Sequence, residues 1–397
     1  MQNVDAAGLG IGDDHPPRIM GVLNVSEESP YDPSVFDDPA EAARYVDEEL
    51  IDEGADIVDV GLESANKRFD VLSAEEELER LHVALETIDH VSGDAIFSIE
   101  TRYAAVAEEA LDSGFDMVND ICGFADPEMP AVCTDHDAAV VKMASPPDLE
   151  RPGAVEETDW GERKSPEWAA SADYVDQVYE ALKQHGLTEK TIVDPAFGGW
   201  SEAQTLEDDR ETFGRLREFR ALGKPMLVSI NRKNFLGDIA GRETEERLPV
   251  SLAATSLAVE RGAHVIRTHD VAETRDAALI GDAFTDRSSR ERDGVRLARL
   301  EIESSRDLRR HLREGGIDPS LADDWIHHTV EIDGLDPSAR DRLGQHAREA
   351  GARWVDLADG RSLLFGSSAS IFRVSGALDA SDGDIGRLSN ELERVFE

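Results

Sequence analysis

The stretch AIFSIETRYAAVAEEALDSGFDMVND (residues 95–120) decides how the chain is read. Residues 95–100 form an apolar run that closes on Glu100. Residues 104–113 carry their apolar side chains at helical spacing, and 117–120 return to a short run ending in Asn119 and Asp120. The same strand–helix rhythm continues on both sides. Upstream, 19–25 precedes a helix over 40–53. Next, 56–61 precedes a helix over 74–91, where Leu78, Leu81 and Leu85 recur at helical spacing and Ser73 with Glu76 forms a capping-box pattern. Downstream lie a helix near 127–136, a run at 138–143 before a long helix within 166–185, and 191–194 before 206–222. Then 226–230 precedes 249–261, and 265–268 precedes 271–282. Eight such units in about 265 residues are the arithmetic of an α/β (β/α)8 TIM barrel. The doubly wound rival would need a G-x-G-x-x-G turn after the first strand, and none is present.

Beyond the barrel the rhythm changes. Residues 1–17 read as a polar, acidic N-terminal tail, and 18–283 as the barrel. Residues 284–294 (FTDRSSRERDG) read as a linker, and 295–397 as a small α+β C-terminal domain. Its strand candidates are 295–303, 328–333, 352–357 and 362–366. Its helices are 305–314, 337–350, 368–378 and 382–396.

Hydrophobic residues make up 40% of the 397, enough for a real core. No apolar run approaches the length of a membrane span, and the N-terminus lacks the pattern of a signal peptide. Cys122 and Cys133 are the only cysteines, so no disulfide framework or four-cysteine zinc site is expected, and both read as buried apolar residues. The cytoplasm is the expected location. Acidic residues number 85 against 41 basic, a formal charge of −44, and seven of the basic residues are Lys against 34 Arg. The acid is spread along the whole chain. Such a field repels nucleic acid and anionic membrane, so neither is expected as a partner. It also calls for screening, which points to a salt-adapted, halophilic protein.

In a (β/α)8 barrel, chemistry sits just beyond the carboxyl ends of the strands. Here those ends read Leu23-Asn24-Val25, Gly61-Leu62-Glu63-Ser64, Ile99-Glu100-Thr101, Val118-Asn119-Asp120, Val193-Asp194-Pro195, Asn231-Arg232-Lys233-Asn234 and Ile266-Arg267-Thr268-His269-Asp270. Any single strand end can meet a polar loop, but the whole set is harder to explain that way. Carboxylates and amides suit a flat, hydrogen-bonding heterocycle. Arg267, His269 and Asn24 fall where strands eight and one adjoin. Two potential cations and an amide suit a phosphate with its Mg2+.

Seven ordered blocks carry a resemblance: IMGVLNVSEES (19–29), GADIVDVGLES (54–64), SIETRYAAVAEEAL (98–111), GFDMVNDICGF (114–124), IVDPAFGG (192–199), INRKNFLG (230–237) and VIRTHDV (265–271). They resemble the dihydropteroate synthases, pterin-binding (β/α)8 enzymes of folate synthesis, over about residues 17–282. The resemblance implies a transferase that joins a dihydropterin methyl diphosphate to 4-aminobenzoate and releases diphosphate, with Mg2+ as cofactor and a homodimer as assembly. It implies that Asn24 holds Mg2+ and the diphosphate, and that Asn119 and Asp194 bind the pterin edge. Lys233 would lie between the two substrate sites, Arg267 and His269 would anchor the diphosphate, and Met143 would pack on the pterin face or simply fill the core. Lys233, Arg267 and His269 are the expected catalytic groups.

Four loops depart from the family's pattern. Glu100 stands where S-I-D-T places Asp, one methylene longer, and can still reach the pterin if the backbone retreats. The loop E-S-T-R-P-G reads Glu63-Ser64-Ala65-Asn66-Lys67-Arg68, so Lys67 or Arg68 would replace the missing Arg. The first loop reads Ser26-Glu27-Glu28-Ser29-Pro30-Tyr31-Asp32-Pro33, and the D-P-G-F-G-F-G-K loop reads Asp194-Pro195-Ala196-Phe197-Gly198-Gly199-Trp200-Ser201. The rewritten loops keep two alternatives open: a non-catalytic or altered-substrate pterin-binding paralogue, and a pterin-dependent methyltransferase. Against the latter, no D-x-H-x-x-G corrinoid motif occurs. Residues 330–371 resemble an accessory domain of some longer synthases. Adjacent His327 and His328 on a strand would point to opposite faces, a structural pattern and not a metal pair.

Overall fold

The strand-forming runs are rich in Val, Ile and Met and are buried on both faces. Parallel strands that are covered by helices outside and by one another inside require this. They are β1 (Arg18–Asn24), β2 (Ile57–Gly61), β3 (Ile96–Glu100), β4 (Met117–Asp120), β5 (Ala139–Met143), β6 (Thr191–Asp194), β7 (Leu227–Val228) and β8 (Val265–Thr268). Consecutive strands pair in parallel from β1 to β6, and β8 pairs with both β7 and β1. A parallel bridge from Val193 to Met226 joins β6 to the approach to β7 and closes the ring. The expected barrel is therefore the observed one. This computed structural model describes residues 2–25, 34–36, 38–63, 71–145, 149, 158–198, 204–285, 289–292, 295–358, 360–378 and 388–394.

Side-chain alternation sorts each strand. In β2, Val58 and Val60 face the helices and pack with Leu81, Ala84 and Val106. Ile57 faces inward and packs with Met20, Met117, Ile192 and Val265. Asp59 and Gly61 share its parity. Helix starts are set by local chemistry: Glu76 N donates to Ser73 Oγ at 3.3 Å while Ser73 N donates to Glu76 Oε2 at 2.8 Å, the expected capping box. The single helix expected over 166–185 is two, Pro166–Ser171 and Tyr174–Lys183. Asp173 divides them because its carboxylate caps the second, accepting from Asp176 N at 2.8 Å.

The segment read as a tail folds into an antiparallel hairpin, Val4–Ala6 with Leu9–Ile11. Val4, Ala6 and Ile11 are buried against the inward residues at the amino ends of the strands, so the hairpin plugs the bottom of the barrel. Asp13 fastens it there, bonded to His264 Nε2 at 3.1 Å and paired with Arg220 at 3.2 Å. The chain divides into two compact units, Met1–Leu300 and Glu301–Glu397. Of the run 295–303 expected to open the C-terminal domain, Val295–Ala298 is a strand, and it pairs with Ser289–Arg292 in a second hairpin of the first unit.

The second unit holds an antiparallel sheet of β9 (His327–Ile332), β10 (Arg353–Asp356) and β11 (Ser362–Ser367), with β11 central. Helices Pro337–Glu349 and Ser368–Ala377 cover it through Leu343, Ala347, Ile371 and Val374. His328 Nε2 lies 2.8 Å from Ser368 Oγ while His327 is exposed, the opposed placement expected of neighbours on a strand. Cys122 and Cys133 are buried free thiols. Among the described residues, no helix is long and apolar enough to cross a membrane.

Candidate active site

Parity along the strands decides which polar residues share the mouth of the barrel. Inward positions carry Asn24 on β1, Asp59 on β2, Ser98 and Glu100 on β3, Asn119 on β4, Asp194 on β6 and Arg267 on β8. The residues next to them in each strand face the helices and do other work. Asp120 accepts from Cys122 N at 2.7 Å and Phe124 N at 2.8 Å, shaping the β4 loop. Thr268 Oγ1 pairs with Thr274 Oγ1 at 2.9 Å. Met143, at the end of β5, is buried and has the parity of inward-facing Ala139 and Val141.

The inward groups are linked. Arg267 Nε donates to Asp59 Oδ2 at 2.8 Å, and Arg267 Nη2 donates to Glu100 Oε2 at 2.6 Å. The longer Glu100 thus spends its extra methylene on reaching the guanidinium. Asn119 Nδ2 donates to Asp59 Oδ2 at 2.9 Å, and Ser98 Oγ to Asp59 Oδ1 at 2.7 Å. Asp59 is fully buried and was not singled out by sequence. A lone acid at an inward position of the apolar run IVDVG was the available signal. Asn24 Nδ2 donates to Ser34 Oγ at 2.8 Å, and its Oδ1 lies 3.1 Å from where a Cβ would stand on Gly61. Glu100 Oε1 is 3.9 Å from the same point, so Gly61 is the gap that lets the two polar ends approach.

Two loops bring up Asp194 and Lys233. Phe197, three residues past Asp194, stacks with Phe235, two past Lys233, at 5.9 Å between ring centroids. Gly198 turns with φ +99°, and a Cβ there would stand 2.7 Å from Lys233 Nζ, so the lysine runs along bare backbone. Ala196 (φ 61°) and Arg232 (φ 52°) also adopt the left-handed region. The first is held by Ala196 N donating to Asp194 Oδ1 at 2.8 Å, the second by a bidentate Arg232–Asp270 pair, both contacts 2.9 Å. Such strained residues concentrate at functional sites. The loop positions Ser26–Pro33, Lys67, Arg68, Gly199, Trp200 and Ser201 lie outside the described residues.

Burial dominates the electrostatics. It pushes the Asp194 carboxyl up to about 6, against the pull of the Ala196 N–H, Lys233 and Arg267. It pushes Glu100 up to about 7 although Arg267 favours its charge. Lys233 is driven below the ordinary lysine range by burial, with Asp194 opposing. Burial also works against the charge of Arg267, but Glu100 and Asp59 outweigh it. His269 differs from expectation. Burial, then Arg267, pushes it down to about 4, so the free protein carries a neutral imidazole there and not a second cation. The structure thus brings Asn24, Glu100, Asn119, Asp194, Lys233, Arg267 and His269 to one rim. Two half-buried cations, Lys233 and Arg267, stand beside acceptors fit for the N–H edge of a heterocycle.

Comparison with known proteins agrees with this geometry. The family described as pterin binding enzyme matches residues 20–269. A probable bifunctional folylpolyglutamate synthase/dihydropteroate synthase of Haloferax volcanii is 34% identical over 74% of this chain, which spans about a third (34%) of that relative's length. The dihydropteroate synthase of Bacillus subtilis is 31% identical over 67% of this chain and 88% of its own length. A solved dihydropteroate synthase from Coxiella burnetii, in complex with pteroic acid, superposes with a TM-score of 0.57 at 29% identity, covering 72% of this chain and 99% of its own. By the extent of the match and by the fold, the chain belongs to the pterin binding enzymes, the family of the dihydropteroate synthases.

Proposed function

We propose that this chain joins a (7,8-dihydropterin-6-yl)methyl diphosphate to 4-aminobenzoate and releases diphosphate, as a dihydropteroate synthase in folate biosynthesis. The observation that carries this reading is the pairing of Asp194 and Asn119 with the half-buried cations Lys233 and Arg267 at one rim. In the reaction the methylene C–O bond to diphosphate breaks, the arylamine nitrogen forms the new C–N bond, and the amine loses a proton. No covalent protein nucleophile is needed. Ionised Asp194 accepts from the ring N–H and NH2. Arg267 meets the charge that develops on the leaving oxygen, where a preorganised donor counts most. Neutral His269 adds a hydrogen bond to the diphosphate without another cation to desolvate. Lys233, between Asp194 and the loop of Gly198, borders both substrates.

The donor set fits Mg2+. Asn24 turns its Nδ2 to Ser34, leaving the amide oxygen as a single hard ligand at the rim. Among the described residues, no group of three His, Cys, Asp or Glu could hold a metal alone. Water and phosphate oxygens would therefore complete the coordination, and the ion would neutralise the departing diphosphate. The even acidity supports residence in a salt-rich cytoplasm. Leu257, Leu279, Ile280 and Phe284, exposed around the last two barrel helices, Leu248–Glu260 and Val271–Ala283, offer a face for pairing two copies, which sedimentation tests.

The test of function incubates the protein in concentrated salt with Mg2+, the pterin diphosphate and 4-aminobenzoate. Diphosphate release that requires the arylamine is expected. Tight pterin binding without release would overturn the transferase reading. Lys233→Ala and Arg267→Ala should each lower turnover about tenfold or more, roughly 1.4 kcal/mol in barrier. A near-normal rate removes that residue from the site.

A further inference from the structure

We propose that Asp59 is a positioning residue for pterin recognition: it fixes which end of the Asn119 amide faces the barrel mouth and holds Arg267 in place. This role rests on the synthase reading above and goes a layer beneath it. Asp59 lies one inward step below the rim on β2 and is fully buried. Its register partner on β3 is Ser98, whose hydroxyl satisfies Oδ1 at 2.7 Å. Oδ2 receives both Asn119 Nδ2 at 2.9 Å and Arg267 Nε at 2.8 Å. A guanidinium can only donate, so Oδ2 stands as an acceptor and dictates the polarity of the amide it meets. With Nδ2 committed downward, Asn119 has its Oδ1 left for the mouth. Flipping the amide would set two buried acceptors against each other. The rim then offers an acceptor from Asn119 beside the Asp194 carboxylate, a pattern that selects a ring edge carrying donors. The same carboxylate oxygen, with Glu100, holds the guanidinium that is to meet the leaving group.

The test compares wild type with Asp59→Asn and the swap Asp59→Asn/Asn119→Asp. Asp59→Asn keeps the volume but frees the amide at 119 to present either end. It should raise the Kd for the pterin substrate about tenfold or more, read by pterin fluorescence, with the KM for 4-aminobenzoate within about twofold. In the swap, the new amide at 59 turns its Nδ2 to the carboxylate at 119, which still offers an oxygen to the mouth, while Arg267 loses its Nε acceptor and is held by Glu100 alone. The swap should recover most of the lost pterin affinity, which repair of a merely structural contact would not do. Circular dichroism and thermal midpoints in molar salt verify folding. Unchanged pterin binding in Asp59→Asn overturns the role, as does an equal loss for both substrates without recovery in the swap. If the wild type itself neither binds pterin nor releases diphosphate, the synthase reading falls and takes this role with it. An active wild type with an indifferent Asp59→Asn sinks the positioning role alone.

Discussion

At the scale of single residues, the site trades stability for chemistry, and Asp194 shows the sign of the trade. Its carboxyl rises from 3.8 to about 6 because burial penalises the charge. Between those values the folded state binds a proton that the unfolded state has released, so this group's contribution to stability falls as pH rises through the window. Catalysis needs the opposite form, since only the carboxylate accepts two donors from the ring. Turnover per unit of pterin (kcat/KM) should therefore fall about tenfold per pH unit below about 6 and level off above it. Asp194→Asn should lose that acid limb along with most activity, yet melt no earlier than wild type at pH 7. An early-melting variant would show the carboxylate to be structural. Gly198 makes a second case. At φ +99°, with Lys233 Nζ 2.7 Å from the position of an added Cβ, Gly198→Ala must strain the turn and displace the lysine. A drop in turnover of about tenfold or more is expected, and an unaltered rate would show that Lys233 does not work from this position.

At the scale of elements, the amino end of the barrel is built for stability, and the hairpin beneath it belongs to that end. Ile11→Ala removes a fully buried side chain and should cost about 2–5 kcal/mol in denaturant unfolding. Because the chemistry sits at the opposite rim, turnover of the folded fraction should stay unchanged. A matching loss of turnover would tie the plug to the site. This hairpin also marks where sequence reading ran short. Its strands are three residues each, too short for a periodicity to register, and what they bury becomes apparent only when the floor of the barrel exists. The eight strand–helix units were legible because parallel strands buried on both faces leave continuous apolar runs between amphipathic helices. The rim residues were legible because strand ends are fixed by those runs. Asp59 and Ser34 escaped because their roles depend on cross-strand neighbours, which no local pattern encodes. His269 was read as a potential cation since sequence gives the residue type but not its burial beside Arg267.

At the scale of the whole molecule, a formal charge of −44 must be reconciled with a single stable barrel. The cations present are mostly Arg, and several sit within carboxylate clusters: Arg215 contacts Asp173, Glu211 and Glu218, each at 2.7 Å. Such partly buried, multidentate pairs resist screening better than isolated surface pairs. The unpaired acid on the surface gains from screening, because its repulsion is long-ranged. Raising salt from 0.1 to 1 M shortens the Debye length from about 10 to about 3 Å. The thermal midpoint should therefore rise steeply over that interval in KCl. If repulsion is the cause, removing charge should substitute for adding salt. Glu48, Glu49 and Asp52 are exposed near the end of one barrel helix. The triple variant Glu48→Gln/Glu49→Gln/Asp52→Asn should reach a given midpoint at lower KCl than wild type and converge with it in molar salt. A midpoint indifferent to salt would remove the case for salt adaptation. A parallel offset of the two curves at all concentrations would show instead that these acids act through local contacts, because screening must erase a long-range difference and cannot erase a short-range one.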